Sequence, residues 1–199
     1  MAMTGLRDGR AIIWDVQTGK QLRVLQGHND KVSAVSLSGD GKLALTCSAD
    51  KTAIVWGTAT GMKLHVLRGH QGGITSGVLD ANGRRVLTGS LDATAILWDA
   101  ATGKKLRSFE VPAQGIRGID SIAMSEAGRW VLIAAHNGAV ALFDAESGQR
   151  RESFNVPREG ITLDGLSEDG GRAMIASATG TVEIWEPRLV RKEKVVPRK

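Results

Sequence analysis

Short apolar runs separated by turn residues make up most of the chain. In one representative stretch the runs are Ser33–Leu37, Lys42–Ser48, Ala53–Trp56 and Lys63–Leu67, rich in Val, Ile, Leu and Thr. Gly, Asp and Asn residues bound these runs, as is typical of strands joined by tight turns. No window shows a sustained helical period, so the pattern favours strands over helices. Four antiparallel strands per unit, repeated in tandem, predict a radial array of small sheets.

An aromatic residue closes an apolar run at nearly constant intervals along the chain. The intervals are 42, 42, 45 and 42 residues, and the positions are Trp14, Trp56, Trp98, Phe143 and Trp185. A small or acidic residue follows each of them. A fixed period of this length indicates one supersecondary unit copied in tandem. The period therefore predicts the fold class, and it favours a binding function over a catalytic one.

The register of the repeat predicts four complete four-stranded units and one incomplete unit before them. Thr4-Gly5 aligns with Thr88-Gly89, 84 residues later, so the chain is expected to begin within a second strand. The first unit then has two strands and at most a stub of another. The complete units are predicted to span about 31–67, 73–109, 118–154 and 160–196.

Several polar residues recur in register with the aromatic positions. A Gly-His pair places His28 28 residues before Trp56, and His70 stands 28 residues before Trp98. A Ser-x-Asp sequence precedes the closing strand in both units. This combination resembles the WD-repeat (WD40) β-propeller family, and the resemblance covers essentially the whole chain. It implies an all-β propeller of four-stranded antiparallel blades, four complete and one partial at the N-terminus.

The resemblance also implies a buried polar network in each of two repeats. Buried indole, imidazole and carboxylate groups must each find a partner, and together they satisfy one another. The implied members are His28, Ser48, Asp50 and Trp56 in one repeat, and His70, Ser90, Asp92 and Trp98 in the next. The fourth repeat has Ala135, Asn137 and Phe143 at the Ser, Asp and Trp positions, and the fifth has Thr179 at the Asp position. We expect these two blades to be held by apolar packing alone.

No residue pattern points to catalysis, to a metal or to a cofactor. The four histidines lack metal-ligand spacing, and no Ser lies in a Gly-x-Ser-x-Gly setting. His65 and His136 are expected to face solvent. Cys47, the single cysteine, lies in an apolar run and is expected to be a buried, inert thiol. The sequence therefore predicts a protein that is not an enzyme.

The net charge of +5 is concentrated at the C-terminus. The segment 187–199 alone carries +5, whereas the rest of the chain holds 20 basic and 20 acidic side chains. Val195-Val196 align with Val24-Leu25, so the tail is predicted to form the outermost strand of the last blade. A contact with nucleic acid or an acidic partner is the alternative, although aromatic residues for base stacking are missing there. The candidate tail contacts are Arg188, Arg191, Lys192, Lys194, Arg198 and Lys199.

The loops before the innermost strands form the candidate partner-binding face. The resemblance implies that this end of a propeller binds peptides and partner domains. The candidate residues are Lys31, Ser33, Gly73, Thr75, Gly118, Asp120, Gly160 and Thr162. The expected function is a protein–protein interaction scaffold that presents its loops to a partner protein or to the rest of a larger parent chain.

Location and assembly follow from weaker signals. One cysteine, no signal region and no apolar stretch of membrane-spanning length predict a cytoplasmic protein with no membrane contact. Three assemblies remain open: a fragment of a longer protein, a small closed ring, or two copies that complete a larger ring. Exposed strand edges in an unclosed array would favour association.

Overall fold

Alternating strands and turns form five separate antiparallel sheets. The computed structural model describes residues 1–111, 118–156, 161–177, 181–186 and 193–194. Within these ranges the chain has nineteen strands and no helix. The predicted fold class, all-β with four-stranded antiparallel blades, is confirmed.

The five sheets follow one another along the chain, each built from consecutive strands. The first sheet has β1 (Ala2–Gly5), β2 (Arg10–Trp14) and β3 (Gln21–Gln26). The second has β4 (Val32–Leu37), β5 (Leu43–Ser48), β6 (Thr52–Gly57) and β7 (Lys63–Arg68). The third has β8 (Ile74–Leu79), β9 (Arg85–Ser90), β10 (Thr94–Asp99) and β11 (Lys105–Glu110). The fourth has β12 (Ile119–Met124), β13 (Trp130–Ala135), β14 (Ala139–Asp144) and β15 (Arg150–Asn155), and the fifth has β16 (Ile161–Leu166), β17 (Ala173–Ser177), β18 (Val182–Trp185) and β19 (Glu193–Lys194).

The two ends of the array differ from the interior. The first sheet has three strands, where the sequence predicted two and a stub, because the short run β1 pairs along its whole length with β2. The fifth sheet ends in β19, a two-residue strand that pairs with β18. The other candidate tail contacts, Arg188, Arg191, Lys192, Arg198 and Lys199, lie outside the described residues, as does Gly160. Among the described strands, no pairing joins the first sheet to the fifth.

Apolar side chains stack successive sheets against one another. Because side chains alternate between the two faces of a strand, each interior sheet has two distinct buried faces. Leu45 and Val55 cover one face of the second sheet, and they pack against Ile96 and Trp98 of the third. The innermost strands also lie side by side, with β4 against β8, β8 against β12 and β12 against β16. The core is therefore a series of layers between sheets.

In the first four sheets, the turn before the strand that ends at or next to the repeat tryptophan or phenylalanine has a left-handed backbone. Gly9 and Gly138 occupy this position in the first and fourth sheets, with φ of 86° and 88°. Lys51 and Ala93 occupy it in the second and third, with φ of 72° and 68°. A side chain with a Cβ is strained there, whereas glycine adopts this conformation without penalty.

Replacing Ala93 with glycine is expected to raise the free energy of unfolding by about 0.5–1 kcal/mol. Relief of left-handed strain contributes about 1–2 kcal/mol, and the greater freedom of glycine in the unfolded chain removes part of that gain. Urea denaturation measures the difference. Ala101→Gly, in the next turn of the same sheet, is the control and should give no stabilisation, because Ala101 has no positive φ. Equal effects of both substitutions would contradict the strain argument.

Candidate partner-binding face

A chain of hydrogen bonds crosses the interior of the third sheet. The Trp98 indole N–H donates to Thr88 Oγ1 at 2.9 Å, and Thr88 Oγ1 lies 2.8 Å from His70 Nε2. His70 Nδ1 lies 2.9 Å from Asp92 Oδ2. These partners assign the tautomer of His70. The Asp92 carboxylate can only accept, so Nδ1 carries the hydrogen, and Nε2 accepts a hydrogen bond from the Thr88 hydroxyl. Burial lowers the pKa of His70, although the hydrogen bond to Asp92 and the charge of Asp92 oppose this shift.

The second sheet contains the same arrangement. The Trp56 indole N–H donates to Thr46 Oγ1 at 2.8 Å, and Thr46 Oγ1 lies 2.7 Å from His28 Nε2. His28 Nδ1 lies 3.0 Å from Asp50 Oδ2. Three of the four residues implied for each network, the His, the Asp and the Trp, are therefore joined by a threonine that the sequence analysis did not include.

The implied serines lie beside the network and do not connect its members. Ser90 Oγ donates to the Gly72 carbonyl oxygen at 3.0 Å and accepts from the Asp92 N–H at 3.1 Å. Ser48 makes the equivalent bonds with Asp30 and Asp50. The implied serines are network members only through the Asp N–H, whereas Thr46 and Thr88, two residues earlier on the same strand face, connect the His to the Trp. Threonine at positions 4, 46 and 88, each 42 residues apart, was the available signal.

The aspartates of the networks organise the turns at one end of the sheets. Asp92 accepts hydrogen bonds from the Gln71 N–H at 2.7 Å, from the Thr94 N–H at 2.9 Å and from Thr94 Oγ1 at 2.6 Å. Burial of the Asp92 carboxyl would raise its pKa, but these hydrogen bonds and the one to His70 outweigh burial and lower the pKa to about 2. One ionised carboxylate thus fixes the loop before β8 and the turn before β10.

The remaining sheets fill these positions differently. In the first sheet, Trp14 retains its hydrogen bond to a threonine, Thr4, at 2.9 Å. In the fourth sheet, buried Ile133 and Phe143 occupy the threonine and tryptophan positions. In the fifth sheet, Trp185 stacks on Phe154 with the ring centroids 4.1 Å apart. Apolar packing thus replaces the Thr–Trp hydrogen bond in the described parts of the last two sheets.

Two of the predicted binding residues hold neighbouring sheets together. Ser33 lies at a register shift of β4, where its Oγ is 3.1 Å from the Cys47 carbonyl oxygen and 2.5 Å from that of Ile74 in the next sheet. Thr75 repeats this geometry with Gly89 at 3.0 Å and Ile119 at 2.6 Å. Their hydroxyl groups already have partners, so we assign both residues a structural role.

The fourth sheet has an acidic residue at the same bulge. Asp120 lies at the register shift of β12, and its Oδ1 is 3.0 Å from His136 Nδ1. The His136 side chain is 63% exposed, in agreement with the sequence prediction, and that of Asp120 is 27% exposed. A carboxylate has no hydrogen to donate to a carbonyl group of the following sheet, so the bond made by Ser33 and Thr75 is not available to Asp120.

The other residues of the predicted partner-binding face differ in how much of each is exposed to solvent. Lys31 and Thr162 are exposed, whereas Gly73 is half-buried and Gly118 is buried. Gly118 lies against the backbone of Leu91, whose side chain is 58% exposed. Leu91 and the exposed Lys51 both belong to Ser-x-Asp turns, and the sequence analysis gave those turns only a structural role.

Five residues lie in loops and turns at the same end of three successive sheets, and we call them the turn face: the exposed Lys31, Lys51, Leu91 and His136, and the half-buried Asp120. Backbone hydrogen bonds connect its turns, from the Ala49 N–H to the Lys31 carbonyl oxygen, from Leu91 to Gly73 and from His136 to Gly118. The turn face is therefore carried by ordered backbone at the ends of three sheets.

A second set of contacts joins the sheets at their outer strands. Arg23 Nη2 donates to the Ala59 carbonyl oxygen at 2.9 Å, and Arg107 Nη2 donates to that of Glu146 at 2.6 Å. His65, which the sequence placed in solvent, makes the equivalent contact through Nε2 to the Ala101 carbonyl oxygen at 2.7 Å. The His65 side chain is half-buried, and the sequence did not indicate this partner, because the outer strand of one sheet lies within reach of the last turn of the next.

Replacing His65 with alanine is expected to lower the free energy of unfolding by about 1 kcal/mol, because one hydrogen bond between sheets is lost. His65→Arg should retain most of the stability, since Arg23 and Arg107 make this contact at equivalent positions. Urea denaturation of the three proteins tests the prediction. An arginine variant as unstable as the alanine variant would show that the contact contributes nothing.

Metal binding, thiol reactivity and membrane insertion each require particular groups in the part of the chain that the structure describes. There, no three His, Cys, Asp or Glu side chains come together as a metal site requires. Cys47 is fully buried, and burial raises the pKa of its thiol. The described residues include no helical segment of the length and apolar character needed to cross a bilayer.

Comparisons with known proteins agree with this geometry. Residues 19–57 and 61–99 match the family model described as WD domain, G-beta repeat, and each segment contains one complete His–Thr–Trp network. Over 43 residues the chain is 46% identical to Autophagy-related protein 16 of Arabidopsis thaliana. That match covers 22% of the chain and 8% of the relative, so the chain spans a small part of the relative's length. The resemblance to the WD-repeat family is confirmed for these two segments.

Proposed function

We propose that this WD-repeat chain is a non-catalytic protein–protein interaction scaffold whose turn face binds a partner protein or another part of a larger parent chain. One observation supports this most strongly. The buried networks fix the backbone of the turns, while the side chains of Lys31, Lys51 and Leu91 at the same end are exposed. Ordered turns that carry exposed side chains bind with little loss of conformational freedom.

The chemistry of the turn face favours a protein or peptide ligand. Leu91 is an exposed apolar side chain, and Lys31 and Lys51 lie to one side of it in the array. Asp120 and His136 lie on the other side and provide a carboxylate and an imidazole. Small molecules generally require an enclosed, mostly apolar pocket, whereas a protein surface can match separated charges around one apolar contact.

Affinity capture from an extract of the source organism tests the proposal. The wild-type chain is compared with Leu91→Asp and with Leu106→Asp as the matched control, since Leu106 is 50% exposed on the outer strand β11. A protein that is retained by the wild type and the control, and lost with Leu91→Asp, supports binding at the turn face. Equal retention by all three chains would contradict it.

The basic tail carries the second candidate function, binding of nucleic acid or an acidic partner. Its support is the charge of +5 within 187–199. Replacing Arg188, Arg191, Lys192, Arg198 and Lys199 with glutamine leaves Glu193 and Lys194 of β19 unchanged and removes the whole net charge of this segment. Loss of a salt-sensitive mobility shift with DNA or RNA in this variant would favour the tail, and no shift with the intact chain at low salt would end this alternative.

A further inference from the structure

One face of the fifth sheet exposes a row of apolar side chains. Met174, Val182 and Ile184 are 41%, 43% and 45% exposed. Met174 pairs with Ile184 across the strands, and Ala176 pairs with Val182, so these side chains share one face of the sheet. Apolar side chains arranged in this way on two adjacent strands have the composition of a packing surface.

The equivalent face of the fourth sheet is completely covered. Leu132, Val140 and Leu142, each 42 residues earlier, have exposures of 0%, 0% and 4%. Leu163 and Ile175 of the fifth sheet pack against them. The exposed face of the fifth sheet therefore has apolar side chains at the same positions as the fourth sheet, where the following sheet covers them.

The first sheet exposes the complementary kind of face. In the second sheet, Ile54 and Trp56 are buried against the preceding sheet, at 1% and 2% exposure. Their equivalents in the first sheet, Ile12 and Trp14, are only half-buried, and Ala2, which pairs with Trp14, is exposed. The described residues thus leave one face of each type uncovered, at opposite ends of the array.

We propose that a second copy of this chain covers these surfaces head to tail, so that the Met174–Val182–Ile184 face of one copy packs on the Ala2–Ile12–Trp14 face of the next. The chain itself supplies the argument for this occupant, because every pair of successive sheets joins these two kinds of face. Such a contact is heterologous, since each copy contributes a different surface.

The contact between copies is weaker than the contacts between sheets within one copy. Inside the chain, the innermost strand β8 packs against both β4 and β5 of the preceding sheet. The first sheet has three strands and offers no innermost strand of this kind among the described residues. Less area is buried as a result, so association should be reversible and should depend on concentration.

Sedimentation velocity of the full chain and three variants tests the proposal. Ile184→Asp blocks one face, Ile12→Asp blocks the other, and Leu106→Asp on the outer strand is the control. The wild type and the control should show species larger than one chain that increase with concentration. Each blocked variant should be monomeric, because neither variant has a complementary pair of free faces.

An equimolar mixture of the two blocked variants gives the decisive result. The free face of one variant complements the free face of the other, so the mixture should form a one-to-one dimer. Ala2→Arg, an exposed position on the same face as Ile12, replaces Ile12→Asp if that variant does not fold. A monomeric wild type at about 100 μM, or a mixture that stays monomeric, would overturn the proposal. These substitutions lie outside the turn face, so the result does not depend on the proposed function.

Discussion

Replacement of Thr88 with valine is expected to lower the free energy of unfolding by about 2–4 kcal/mol. Valine has nearly the same shape, so the substitution creates little cavity and removes mainly the hydroxyl group. The Trp98 N–H and the His70 Nε2 both depend on that hydroxyl, and each buried group left without a partner costs about 1–3 kcal/mol. Urea denaturation monitored by tryptophan fluorescence measures the change.

Thr4→Val in the first sheet is the matched control. Thr4 accepts a hydrogen bond from Trp14 but is exposed, and Trp14 is only half-buried, so water can replace the lost bond. The control should therefore lose less than about 1 kcal/mol. A loss at position 88 that is no larger than the loss at position 4 would show that the buried network contributes little to stability.

The sequence predicted the sheets well because their signals are local and repeated. Each strand of an interior sheet has its own apolar run and its own turn residues, and the period fixes their register. The first sheet was predicted less well, since β1 (Ala2–Gly5) has little apolar character of its own. Its strand conformation depends on pairing with β2, and that is a property of the assembled sheet.

The site was harder to predict because its side chains depend on contacts between sheets. A Ser-x-Asp motif predicts a turn, but it does not show which hydroxyl connects His70 to Trp98. In the folded sheet, Thr88 Oγ1 lies within hydrogen-bond distance of both side chains. Ser33 is the second residue of an inner strand, and only the bulge at that residue directs its hydroxyl towards the neighbouring sheet. His65 likewise finds its acceptor on another repeat. A repeat pattern describes one unit, so it does not report which groups meet across two units.

The fourth sheet should show the opposite preference at the position equivalent to Thr88. Ile133 is fully buried among Leu87, Leu97 and Phe143, and the Phe143 ring offers no N–H group to a hydroxyl. Ile133→Thr is therefore expected to lower the free energy of unfolding by about 2–4 kcal/mol, through the lost apolar volume and the buried hydroxyl. Ile133→Val, which removes volume alone, should cost about 1 kcal/mol.

Substitutions at positions 88 and 133 together separate the contribution of the hydrogen-bond network to stability from the effect of side-chain volume. Valine and threonine are nearly isosteric, so their difference at one position isolates the hydroxyl group. Threonine should be the more stable of the two at position 88, and valine should be the more stable at position 133. The same order at both positions would mean that strand propensity or volume decides stability there. Opposite orders would show that the interior of each sheet is specified by its own partners, polar in the third sheet and apolar in the fourth.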